Sequence, residues 1–133
     1  MNETMPRVEK SGITTEGRIR LDDELVIPIL RVSDATEAVA WYRRLGFTDE
    51  SVHRFGPGMP AFVTIASRRI RLFLSEHLGD ARPDTLVYLR VRDVEAIAAE
   101  FGVTVENAPW AREIEIRDLD GNRLRIGTPT EQA

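Results

Sequence analysis

The pentapeptide Leu30-Arg31-Val32-Ser33-Asp34 returns as Leu89-Arg90-Val91-Arg92-Asp93, 59 residues further on, and this repeat constrains the fold more than any other feature of the chain. In each copy an apolar segment runs into an aspartate, and the residues behind the aspartate carry apolar side chains at helical spacing. Ala38, Trp41, Tyr42 and Leu45 make one such stripe; Val94, Ile97, Ala98 and Phe101 make the other. Asp34 with Glu37 three residues beyond it resembles a capping box, and Gly46 and Gly102 supply the stops. Strand, aspartate-led helix and glycine stop therefore occur twice. Trp41 and Tyr42 are read as core residues.

Each helix is followed by alternating sequence. Between Pro109 and Gly127, parity puts the apolar side chains on one face with Ile114 opposite Ile126 and Ile116 opposite Leu124. Both pairs centre on Asp120, so the loop is odd in length. Leu119-Asp120-Gly121 is the expected connection, with Gly121 in the left-handed position of a bulge. The other face then sets Glu115 against Arg125 and Arg117 against Arg123. The same parity test on the earlier hairpin places Ile65 opposite Ile70 and Val63 opposite Leu72, with Ser67-Arg68 as the minimal turn or Ala66 to Arg69 as a longer one. Phe62 opposite Phe73 and Thr64 opposite Arg71 fall on its far face.

The predicted organisation is βαβββ, twice, in an α+β domain spanning 25–133, with modules at about 25–78 and 84–129. A polar connector, Glu76 to Thr85, joins them, and a polar arm, 1–24, is expected to be flexible. A four-stranded sheet under one helix is too small for a secure core, so the two modules should pack together. An apolar run from Val26 to Val32 is expected to be the first strand.

Composition narrows the function. The chain has 133 residues, is 42% hydrophobic and carries a formal charge of -4 without a basic run, which argues against nucleic acid as a partner. No apolar run approaches the roughly 20 residues that span a bilayer. Met1 to Lys10 lacks the apolar core of a secretory signal, giving a cytoplasmic expectation. With no cysteine, disulfides and thiolate chemistry are excluded. The two histidines, His53 and His77, have no partner at metal-site spacing and are read as solvated. No phosphate loop or nucleophile elbow occurs. Trp110, behind Pro109 at a strand entry, has two open readings: core or rim packing, or stacking on a flat ligand.

The paired βαβββ organisation, V-x-D at both helix starts, Pro-Trp-x-Arg-Glu before the last hairpin and Arg-Asp-x-Asp-Gly-Asn at its turn resemble the glyoxalase/bleomycin-resistance family, the vicinal oxygen chelate proteins, over about residues 26–129. Pro109-Trp110-Ala111-Arg112-Glu113 and Ile27-Pro28-Ile29-Leu30 are most similar to its bleomycin resistance proteins. The resemblance implies mixed sheets curved around a cleft. Family enzymes hold a divalent metal with His, Gln or Glu at four strand positions, which fall here on Ile27, Phe73, Leu86 and Arg125. None is a usable ligand.

What the resemblance implies is therefore a metal-free protein without a cofactor, a homodimer sequestering a bleomycin-like or other planar compound in clefts between subunits, as in antibiotic resistance. Pro28 is similar to the position around which such dimers exchange N-terminal segments. Trp110 would stack on the ligand, with Phe55, Phe62, Phe73 and Tyr88 as further aromatics and Glu115 and Arg125 as polar contacts. The charged face mixes Glu113 and Glu115 with Arg71, Arg90, Arg117 and Arg125, which also suits a partly anionic ligand. Two other readings stay open. One is a family enzyme with an atypical site, Glu113 or Glu115 acting as a base near Arg125; the other is an interaction module whose charged face is simply solvated.

Overall fold

A computed structural model describes residues 17–130 of the chain. Its first half comprises β1 (Ile29–Arg31), α1 (Ala35–Tyr42) with a 3-10 turn at Arg43–Leu45, β2 (Thr48–Arg54), β3 (Ala61–Ser67) and β4 (Ile70–Ser75). The second comprises β5 (Leu86–Arg90), α2 (Val94–Phe101), β6 (Glu106–Asn107), β7 (Ala111–Arg117) and β8 (Arg123–Pro129). Each half forms its own four-stranded mixed sheet, ordered β1-β4-β3-β2 and β5-β8-β7-β6. In both, the opening strand runs parallel to the last strand and the remaining pairs are antiparallel. This is the α+β arrangement of twinned βαβββ units that the repeat predicts.

The helix boundaries follow from their caps. Asp34 accepts hydrogen bonds from the backbone N–H of Thr36 and Glu37, and Asp93 accepts one from Ala96, satisfying donors that the first turn leaves unpaired. The α2 helix ends at Gly102, whose φ of 67° is left-handed. The apolar stripes then meet in one core: Leu30, Tyr42, Ile65 and Leu74 from the first half join Leu89, Ile114, Leu124 and Ile126 from the second. Burying each such side chain stabilises the fold by about 1.5–3 kcal/mol. Trp41 is half-buried against this core, its ring centroid 5.3 Å from that of Phe101. Arg44 lies over the Phe101 ring and pairs with Glu100, so the two helices touch across the repeat.

The last hairpin has the predicted register: Ile114 opposes Ile126, Ile116 opposes Leu124, Glu115 opposes Arg125 and Arg117 opposes Arg123. The N–H of Asp118 donates to the carbonyl of Asn122 at 2.9 Å, which leaves Leu119, Asp120 and Gly121 as the loop. Gly121 takes a φ of 86°.

Two expectations are corrected. In the first hairpin Ile65 opposes Leu72 and Val63 opposes Leu74, a slip of two residues from the predicted register. Thr64 therefore faces Phe73, Ala66 faces Arg71, and Phe62 faces Ser75. A shift of two keeps every side chain on its face, so the hydrophobic pattern does not distinguish the two registers. The observed one moves the turn to Arg68-Arg69 and lengthens the ladder until the N–H of Glu76 reaches the carbonyl of Ala61. The first strand also begins later than expected, at Ile29, and Leu25 and Val26 are exposed. Pro28 has no N–H to give; the ladder opens with its carbonyl, which accepts from Phe73 at 2.9 Å.

Most of the expected arm, residues 1–16, lies outside the described residues; Ile19 and Leu21 of its remainder are exposed. Among the described residues no helix is long and apolar enough to cross a membrane.

Candidate functional site

The residues singled out in the sequence divide between the two sheets. On the first, Phe62 and Phe73 point away from the core, where their rings lie at a diagonal with centroids 4.9 Å apart. Phe55, just beyond β2, is exposed and sits 4.5 Å from the His53 ring and 6.4 Å from that of His77, edge-on to both. Phe55, Phe62, both histidines and Asp80 border a shallow cavity of about 310 Å³. The histidines, read from sequence as ordinary surface groups, thus adjoin the aromatic group. Asp80 is oriented by the Ser75 hydroxyl at 2.6 Å.

On the second sheet Tyr88, Glu115 and Arg125 share the face opposite the core, and Tyr88 is directly across from Arg125 on the parallel strand. Trp110 enters just before β7 and remains 59% exposed; Tyr88 is 43% exposed. Both are tied to one atom. Glu113 Oε2 accepts from Trp110 Nε1 at 2.8 Å and from the Tyr88 hydroxyl at 2.8 Å. Two exposed rings are held in place by a single carboxylate, which lowers the rotamer freedom that a bound ligand would otherwise have to remove. Glu115 is engaged on its other side, accepting from Arg125 at 3.1 Å and pairing with Arg123 at 3.5 Å. A cavity of about 380 Å³ opens between Glu113, Glu115 and Arg125 on one side and segment 103–108 on the other.

The Tyr88 hydroxyl is pushed above the usual phenol range, first by desolvation and then by its hydrogen bond to the Glu113 carboxylate and that group's charge; Arg90 and Arg125 oppose the shift. It therefore stays a donor at neutral pH.

Sequence reading left Glu113 as a base in an alternative reading and gave Gly127 no role. In the structure Gly127 is opposite Glu113, and a Cβ on it would collide with the Tyr88 hydroxyl and stand 3.0 Å from Glu113 Cγ. A bare backbone is thus what lets the tyrosine reach the carboxylate. The available signal was the register itself, which sets a glycine across from Glu113 in mid-strand, a mark of close approach.

The four positions that the resemblance implies for metal ligands do not suit one. Ile27 and Leu86 are aliphatic, Phe73 offers a ring, and the Arg125 guanidinium repels a cation while pairing with Glu115. Among the described residues no three His, Cys, Asp or Glu side chains are grouped to hold an ion. No reaction step through a metal follows from these residues.

Comparison with known proteins adds the following. The profile of glyoxalase superfamily proteins matches residues 11–132. No curated protein matches the sequence. Among solved structures, TnmS3, an antibiotic-binding protein from Streptomyces sp. CB03234, is similar at 25% identity with a TM-score of 0.69, covering 84% of this chain and 100% of its own. A glyoxalase/bleomycin resistance protein, also from Streptomyces sp. CB03234, shows 26% identity and a TM-score of 0.60 over 77% of this chain and 99% of its own. A bleomycin-binding protein in complex with bleomycin shares the fold at 18% identity, with a TM-score of 0.64 over 80% of this chain and 99% of its own.

Proposed function

The chain belongs to the glyoxalase superfamily, and from that membership we propose that it binds a flat, drug-like small molecule without metal or chemistry, Trp110 stacking on the ligand. The observation that carries the proposal is the pair of exposed rings, Trp110 and Tyr88, fixed on one carboxylate at the edge of a cavity. Structured aromatics held outside a core supply large contact area at low entropic cost. The similarity to an antibiotic-binding protein at 25% identity supports the same ligand class.

The binding unit in this proposal is a homodimer. Phe62 and Phe73, with Phe55 just beyond β2, belong to the first sheet's side and Tyr88, Glu115 and Arg125, with Trp110 just before β7, to the second's, so the chain offers two half-sites. A planar molecule is best held between two walls, and the first-sheet face of one copy against the second-sheet face of another would supply them. The unusable donor set at Ile27, Phe73, Leu86 and Arg125 supports binding over metal-assisted catalysis. Both carboxylates that could act as bases are already occupied, Glu113 by two neutral donors and Glu115 by two guanidinium groups.

Titration with bleomycin tests the ligand class, read by tryptophan fluorescence and thermal midpoint. Quenching is expected in the native chain and its loss in Trp110→Phe, which leaves Trp41 as the only indole. Absence of both quenching and a thermal shift at micromolar drug rejects the bleomycin ligand. A stoichiometric, tightly held divalent ion in the purified protein rejects the metal-free reading. Sedimentation at micromolar concentration tests the dimer, and a monomer that still binds drug rejects the shared cleft.

A further inference from the structure

The twinned halves are fastened to each other at one place and open at its counterpart. At the fastened place the turn of the β7–β8 hairpin lies against the junction of β1 and α1. Asn122 donates to the Arg31 carbonyl at 2.9 Å, Asp120 accepts from the Ser33 N–H at 2.9 Å, and Asp118 accepts from the Tyr42 hydroxyl at 2.7 Å. The turn thus brings carboxylates and an amide to the repeat residues Arg31 to Ser33.

The counterpart is formed by the β3–β4 turn and the junction of β5 and α2, where the repeat places Arg90, Val91 and Arg92. Here the turn carries Arg68 and Arg69 in place of carboxylates. The two segments, with Ser67 and Ile70, border an open cleft of about 780 Å³, larger than either aromatic cavity. All four arginines are exposed, and among the described residues none of them forms an ion pair or a side-chain hydrogen bond. Arg68 moreover holds a left-handed φ of 55°, unusual for a residue with a Cβ. In a chain of net charge -4, four guanidinium groups without an ion-pair partner among the described residues border one cleft and focus a positive field there.

We propose that this cleft between the β3–β4 turn and the β5–α2 junction is a binding site for a small polyanion bearing two or more phosphate or carboxylate groups. The guanidinium fork matches either oxyanion in a bidentate fashion, and the anion would bridge the halves as Asp118, Asp120 and Asn122 do at the other junction. Trp110 does not line this site, although Arg90 of the cleft also acts on the Tyr88 phenol.

Calorimetric titration with tripolyphosphate and with citrate, each against sodium chloride of equal ionic strength, tests the site and separates phosphate from carboxylate preference. Saturable one-to-one binding of at least one of the two is expected, weakening as salt is raised. Arg68→Gly and Arg92→Ser should each raise the Kd about tenfold or more, and the double variant should abolish binding. Arg68→Gly suits the turn, so it should fold at least as well as the native chain and lose affinity regardless. Trp110→Phe should bind the anion unchanged, which distinguishes this site from the drug surface. Heats no larger than those of chloride, unchanged affinity in both arginine variants, or dependence on Trp110 would overturn the proposal. So would a change of oligomeric state in the arginine variants that anion does not influence, since the cleft would then be a contact between copies.

Discussion

The Tyr42 hydroxyl donates to Asp118 Oδ2 at 2.7 Å, joining the first helix to the turn of the last hairpin across 76 residues of chain. Asp118 is a hub: its other oxygen accepts the N–H groups of Asp120 and Asn122, and Asn122 is itself fully buried. Burial, then the charge and hydrogen bond of Asp118, drive the phenol of Tyr42 far above its ordinary value of 10.0.

That shift has a sign that can be measured. A phenol whose folded pKa is raised stabilises the fold fully below its unfolded value near 10, and that contribution is lost as pH climbs beyond it. Urea unfolding between pH 9 and 11 should show stability falling above pH 10 with a limiting slope of about 1.4 kcal/mol per pH unit for Tyr42. In Tyr42→Phe the slope should shrink to the contribution of Tyr88. An unaltered slope would place the loss elsewhere.

Asn122 bonds the Arg31 carbonyl, Asp118 and the Thr85 N–H from a site with no solvent access. Asn122→Ala removes the partner of the part-buried Arg31 carbonyl and Thr85 N–H, while Asp118 keeps the Tyr42 hydroxyl and two backbone N–H groups. A loss of about 3 kcal/mol or more is expected from chemical denaturation. A loss below about 1 kcal/mol would mean that the Asn122 side chain does not help to hold the two halves together.

Glu113→Ala releases Trp110 and Tyr88 together. Since both rings are already well exposed, stability should change by less than about 1 kcal/mol. Drug affinity should fall all the same, because the ligand must then order both rings. The two readings, thermal midpoint and bleomycin titration, should therefore part company in this variant.

Gly127→Ala puts a methyl group against the Tyr88 hydroxyl. Either the tyrosine turns away from Glu113 or the strand shifts, at a cost of about 1–3 kcal/mol. Combining it with Tyr88→Ala should restore most of that stability while leaving ligand binding impaired. Failure of the double variant to recover would locate the strain in the β8 backbone.

Arg68→Gly relieves a left-handed residue in the β3–β4 turn. Equilibrium unfolding should show a gain of up to about 1 kcal/mol.

The sequence alone determined what repeats and what faces inward. The two aspartate caps, the glycine stops and the register of β7 with β8 follow from local chemistry and from the two-residue period of a strand, which admits one parity for Ile114 and Ile116 against Leu124 and Ile126. The same period could not choose between registers two residues apart, so the β3–β4 pairing was set by how far the ladder extends toward Ala61 and Glu76. Only the tertiary structure decided which residues act across the repeat. Asp118 and Asn122 read as turn residues until the turn is set against Arg31 and Tyr42, and Glu113 reads as one more surface charge until Trp110, Tyr88 and a bare Gly127 converge on it. Such contacts join side chains brought together by packing, and no local propensity or periodicity encodes which distant partner a polar group will meet.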